Sequence, residues 1–160
     1  MLATLGLFAA VVATALWSGL LLMLTTVLHP VYGGLDAAGF ADGLQRFLPI
    51  ARRSPTNYGL LAAMVLTPVV ALVGLRAEPG GAPFVLTAVG LAVVLAGPVL
   101  TSRFAAEPNY AVILAWDAAE PPADWREARA RWLRVNWLRG AATWTALALF
   151  VVATWLYLVP

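Results

Sequence analysis

Residues 125–140 read WREARARWLRVNWLRG, and residues 141–160, AATWTALALFVVATWLYLVP, follow without a single charge. A tryptophan- and arginine-rich helix running into an apolar stretch of bilayer-crossing length decides the fold class, an all-α integral membrane protein. Trp125, Trp132 and Arg139 are spaced by seven residues, and Asn136 comes one turn after Trp132. On one helix these side chains share a face.

The rest of the chain has the same character. Of its 160 residues 62% are hydrophobic and only 11% charged, whereas charged residues make up about 25% of an ordinary soluble domain. Uncharged runs cover Met1–Leu35, Ser54–Leu75, Pro79–Ser102 and Gly140–Pro160. Each holds the roughly 20 apolar residues that one helix needs to cross a hydrocarbon core. The expected organisation is a single four-helix membrane bundle over residues 1–160, with spans at about 2–28, 55–75, 83–103 and 138–159 and an extension of the fourth helix. No cleaved signal peptide is expected, since no basic residue precedes the first apolar run.

All 10 basic residues are arginine. Nine of them, Arg46, Arg52, Arg53, Arg103, Arg126, Arg129, Arg131, Arg134 and Arg139, fall in or beside the loops after spans one and three, and only Arg76 lies opposite. The positive-inside rule then puts those loops in the cytoplasm and both termini outside, in the cytoplasmic membrane. The formal charge of +2 is thus a topology signal and gives no reason to expect nucleic-acid binding. Absence of cysteine excludes disulfides and thiolate ligands within the chain. No Walker loop, HExxH motif or dinucleotide fingerprint occurs, so neither a cofactor nor a metal is expected.

Along the chain, Pro30 is expected to close span one, with Ser18, Thr25 and Thr26 serving helix packing. Phe40, Leu44, Phe47 and Leu48 stand at amphipathic spacing and predict a short surface helix that Pro49 ends. It is either a lid over the mouth of the bundle or a passive interfacial helix. Ser54-Pro55 starts span two, and Pro68 and Gly97-Pro98 predict kinks. Glu107-Pro108-Asn109 is expected to interrupt the third helix and leave Tyr110–Trp116 as an apolar stub. Asp124 and Glu127 have the spacing of a capping box opening a helix that reaches about Tyr157. Arg126, Arg129, Arg131 and Arg134 are placed to reach lipid phosphates, and Trp132 and Trp137 to anchor at the interface.

His29, Asn57, Arg103, Glu107, Asn109, Asn136 and Arg139 come from all spans or their arginine-rich ends and should lie at similar depth. Two arrangements satisfy groups so costly to bury: a shared pocket, or ion pairs and caps such as Glu107 with Arg103 or Arg139. A pocket of this composition lacks a Ser-His-Asp triad and a second haem histidine, but could hold a flat, acidic, apolar molecule and stabilise its anion. His29, the only histidine, would be the proton acceptor.

Pro108-Asn109, Ala115-Trp116-Asp117, the proline-rich turn, Trp125, Arg131-Trp132, Asn136 and Arg139 running into an apolar helix resemble the anthrone oxygenase-like family of small four-span membrane proteins. The resemblance covers about residues 103–145. It implies oxidation of an anthrone-like planar aromatic polyketide by molecular oxygen without metal or flavin. It also implies roles for Asn109, Trp116, Asp117, Trp132, Asn136 and Arg139. On this reading His29, Asn136 and Arg139 are the catalytic candidates, and Asn57, Arg103, Glu107, Asn109 and Trp132 bind substrate. The partners would be membrane lipids, a hydrophobic aromatic small molecule and, for a homo-oligomer, further copies of the chain. The alternatives are a non-catalytic membrane subunit that docks a partner or lipid, and a haem- or quinone-binding protein using His29. A pocket reaching the Asn136 and Arg139 face would favour an enzyme or binder, and a solid bundle the subunit.

Overall fold

The computed structural model describes residues 1–159 and contains only helices there, so Pro160, at the end of the last apolar run, lies outside the described residues. The helices are α1 (Leu2–Gly33), α2 (Ala37–Arg53), α3 (Pro55–Leu75), α4 (Ala82–Leu114) and α5 (Trp125–Leu158). All but α2 are long and apolar enough to cross a membrane. Their outward surfaces carry large exposed apolar side chains such as Leu5, Phe8, Leu16, Leu66, Val152 and Trp155, as a lipid-facing surface does.

The long helices pack in chain order, α1 on α3, α3 on α4, α4 on α5 and α5 back on α1. Leu7, Ala71 and Ala153 fill one end of this packing. Trp17, Leu21, Met64, Val94, Ala146 and Phe150 fill the middle. Small residues bring backbones together, and a Cβ on Gly6 would sit 3.0 Å from that of Ala71, one on Gly74 2.9 Å from that of Ala3. This is how membrane helices gain van der Waals contact where no hydrophobic drive between them exists.

Two of the expected helix ends are corrected. Pro30 does not close span one, and Glu107-Pro108-Asn109 does not interrupt the third helix, because α1 continues to Gly33 and α4 to Leu114. The physical reason is the same in both. A π-helical turn, Leu24–Leu28 or Ser102–Ala106, precedes the proline by one residue, and the amide of His29 or Glu107 bonds the carbonyl five residues back, Leu24 or Ser102. The wider turn lets the chain pass a ring that would strain regular α-helix. A third π turn, Leu95–Leu100, contains Pro98. Ser54 caps α3 as expected, its hydroxyl accepting from the Asn57 amide at 3.3 Å.

The short helix is longer than expected. Asp36 caps it, accepting from Gly39 N at 2.8 Å, and it carries Pro49 within its length to Arg53. Its apolar face packs into the protein: Phe40, Leu44 and Leu48 are buried with Ile113, Trp125 and Trp132. Gln45 fastens it, Nε2 donating to the carbonyls of Ile113 at 3.2 Å and Trp116 at 2.8 Å, where α4 ends. Gln45→Ala leaves the Trp116 carbonyl without this partner, while Ile113 O keeps the Trp116 amide at 3.4 Å, and should lower stability by about 1 kcal/mol, read as a shift in thermal unfolding in detergent.

The capping box at the start of α5 is also corrected. The Asp124 side chain makes no cap bond, and backbone bonds from Trp125 N to Pro122 O at 3.0 Å and Glu127 N to Asp124 O at 2.8 Å shape the turn instead. The Asp124 backbone, at φ −87° and ψ 9°, lacks the extended conformation from which a capping side chain reaches the first-turn amides.

Candidate functional site

A cavity of about 300 Å³ lies where α1, α2, α3 and α4 meet near the arginine-rich end. Its apolar wall includes Leu20, Leu21, Met23, Leu24 and Leu28 of α1, Phe47 and Leu48 of α2, and Leu61 of α3. Aromatic surface comes from Trp17, Tyr58 and Tyr110, and polar groups from Asn57, Ser102, Glu107, Arg52 and Arg139. Size and composition match a small-molecule site, apolar walls with a few convergent polar groups.

Arg139 reaches this cavity from α5. Its Nη1 donates to Asn136 Oδ1 at 3.2 Å and to the Tyr110 hydroxyl at 3.4 Å, and its guanidinium carbon lies 6.0 Å from the Trp17 ring centre. Both acceptors are neutral. The ion pairs among the described residues are Arg46 with Asp42 and Arg52 with Glu107, the latter at 2.6 Å. Arg139 therefore has no carboxylate partner, and the cavity walls hold two guanidinium groups against one carboxylate. An unpaired guanidinium inside an apolar bundle is costly unless something anionic meets it.

The buried polar atoms without a partner among the described residues all belong to α1 and α5: Thr14 Oγ1, Trp17 Nε1, Ser18 Oγ, both His29 nitrogens, Asn136 Nδ2 and Arg139 Nε. Of these, Trp17 Nε1 and Arg139 Nε belong to residues of the cavity wall, and Asn136 Nδ2 to the residue behind Arg139. Asn57 and Ser102 are occupied, Asn57 Nδ2 donating to Ala51 O at 3.0 Å and the Ser102 hydroxyl to the Pro98 carbonyl.

Of the residues singled out from sequence, Asn57, Glu107 and Arg139 line the cavity, and Asn136 stands behind Arg139. Others go elsewhere. His29 is buried between two tryptophans, 4.9 Å from the Trp132 ring and 6.3 Å from that of Trp137, and is not in the cavity wall. Trp132 is a core residue, not an interfacial anchor, packed on Tyr32 at 5.4 Å and Phe40 at 6.2 Å. Asn109 is buried and its Nδ2 donates to Ala128 O at 3.1 Å, tying α4 to α5. Arg103 is exposed beside Phe104, so neither it nor Arg139 is the ion-pair partner of Glu107. Trp116 packs at the edge of the α2 cluster, and Asp117 is exposed, accepting from Ala119 N at 2.9 Å. Arg129 Nη1 donates to Gly33 O at 3.0 Å and Leu35 O at 3.1 Å while the guanidinium covers Trp125 at 4.5 Å, which ties α5 to the end of α1.

The cavity also contains Trp17, Arg52 and Tyr110, which were not among the candidates. Tyr110 directly follows Asn109, but only the packing of α4 shows that these neighbours face different ways.

The chain thus has the features of a multi-pass helical membrane protein with a lined cavity. Comparison with family models, characterised proteins and solved structures yields no match.

Proposed function

We propose that the protein is a membrane-embedded four-helix bundle, its arginine-rich end and the α5 extension in the cytoplasm, that binds a planar, weakly acidic aromatic molecule in this cavity and promotes its oxygenation. The observation that carries the reading is the cavity's reach to Arg139, whose charge has no carboxylate partner among the described residues, between aromatic and aliphatic walls. A solid interior would instead have favoured a passive subunit. The specific reaction rests on the resemblance of the Pro108-to-Arg139 pattern to the anthrone oxygenase-like family.

The chemistry needs binding, proton removal and charge stabilisation. Glu107 is the only carboxylate in the wall and is the group to take the methylene proton. Arg139, held by Asn136 and Tyr110, faces the oxygen on which the resulting negative charge concentrates. Molecular oxygen is the oxidant. The carbanion forms a C–O bond with it and regains a proton to give the hydroperoxide. Loss of the second C–H proton with cleavage of the O–O bond then yields the quinone carbonyl and water. His29 takes no part in these steps.

The test is oxygen uptake and anthraquinone formation from 1,8-dihydroxyanthrone with the purified protein. Acceleration over the spontaneous reaction is expected, and Glu107→Gln should lower it about 10²-fold or more. Arg52→Gln breaks the same ion pair while keeping the carboxylate, and should retain most activity. His29→Ala should also retain it. No acceleration by the native protein would refute the oxygenase reading.

A further inference from the structure

We infer that the cavity opens sideways into the bilayer between α1 and α3, so that its ligand arrives dissolved in lipid on the arginine-rich side and not from water. The inference rests on reading the helices as membrane spans and is independent of the oxygenation chemistry.

The geometry comes from the two ends of one helix pair. At one end α1 and α3 touch backbone to backbone, Gly6 against Ala71 and Gly74 against Ala3. At the other end the same two helices form facing walls of the cavity, with Leu20 and Leu24 on α1 and Tyr58 and Leu61 on α3. The helices therefore diverge from a close pivot. The π turn Leu24–Leu28 lies in the diverging part of α1, and such turns re-aim a helix locally.

The arginine-rich end is partly covered, with the Arg52 and Glu107 side chains 41% and 33% exposed. Phe47, Leu48 and Ala51 of α2 lie across the arginine-rich end, and the Arg52–Glu107 ion pair bridges α2 to α4 there. On the far side α5 packs against both α1 and α4. The gap between α1 and α3 is bordered by Leu20, Met23 and Tyr58, which are 42%, 51% and 59% exposed. At 1.5 Å per residue Leu61 lies about 9 Å inside the start of α3, which puts the gap at acyl-chain depth. A rim of leucine and methionine with one tyrosine admits an apolar, membrane-partitioned molecule and repels a hydrated one.

The chain has no cysteine, so Leu24→Cys and Leu61→Cys give single spin-label sites on the opposing walls. In liposomes, collision with oxygen, which concentrates in lipid, should exceed collision with a water-soluble nickel chelate several-fold at both sites. This should match the lipid-facing control Val152→Cys. Methyl 9-anthroate, a neutral planar probe that partitions into the bilayer, should reduce oxygen collision at 24 and 61 and leave 152 unchanged. Nickel accessibility equal to or above that of oxygen would show an opening to water, and low accessibility to both would show a closed interior. Either result overturns the inference. A protein with lipid-like accessibility that fails to oxidise anthrone would keep the opening and lose the oxygenase reading.

Discussion

Arg139→Gln is expected to abolish the preference of the cavity for an anion while leaving the protein folded. In the native protein 9-anthracenecarboxylate should bind about 10- to 100-fold more tightly than its methyl ester, equivalent to about 1.4–2.8 kcal/mol. With glutamine the two should bind alike, measured by energy transfer from tryptophan to the anthracene. The charge of Arg139 has only the neutral oxygens of Asn136 and Tyr110 as partners, so the fold alone does not neutralise it. Removing half of a structural ion pair would leave its partner buried and unpaired, at a cost of about 3–5 kcal/mol. Here no carboxylate is orphaned, and glutamine can still donate to Asn136. The unfolding temperature of the ligand-free variant should therefore be unchanged or raised. A clear fall in stability with no change in anion preference would make Arg139 a structural residue and remove it from the site.

The second large effect is expected at the pivot of α1 and α3. Gly6→Val should destabilise the protein by about 2–4 kcal/mol, because any Cβ at this position meets the Ala71 backbone, which cannot rotate aside as a side chain can. Gly74→Val should act similarly against Ala3. Gly19→Ala is the control, since nothing lies within 4 Å of a Cβ there, and it should be neutral or slightly stabilising through helix propensity. Thermal unfolding of the three variants in one detergent makes the comparison. Equal behaviour of Gly6→Val and Gly19→Ala would show that the backbones do not approach as described. Because the cavity opens from this pivot, a variant that survives with separated helices should also bind methyl 9-anthroate more weakly.

Much of the helical framework was legible in the chain because apolar run length and helix rise set the spans almost directly. Ser54-Pro55 marked the start of α3, and the face shared by Trp125, Trp132, Asn136 and Arg139 is the inward side of α5, with the first three buried and Arg139 half-buried. Proline was the misleading signal. Pro30 and Pro108 break a regular helix on local grounds, but a π turn before each carries the helix through, and that choice depends on what the longer helix can pack against. The capping spacing of Asp124 and Glu127 was likewise overridden by the backbone turn over Pro122–Glu127, in which Asp124 is not extended.

Composition and the placement of arginines determined by themselves how high each polar residue stands along the helices, and hence that His29, Asn57, Glu107, Asn109, Asn136 and Arg139 crowd toward one end. What they could not determine is direction about each helix axis relative to the neighbours. Successive residues on a helix point about 100° apart, so Asn109 ties α4 to α5 while Tyr110 meets Arg139 beside the cavity. His29, at the expected height, turns into the tryptophans and away from the cavity. Height follows from one helix at a time, but the identity of the cavity wall follows only from five helices packed together.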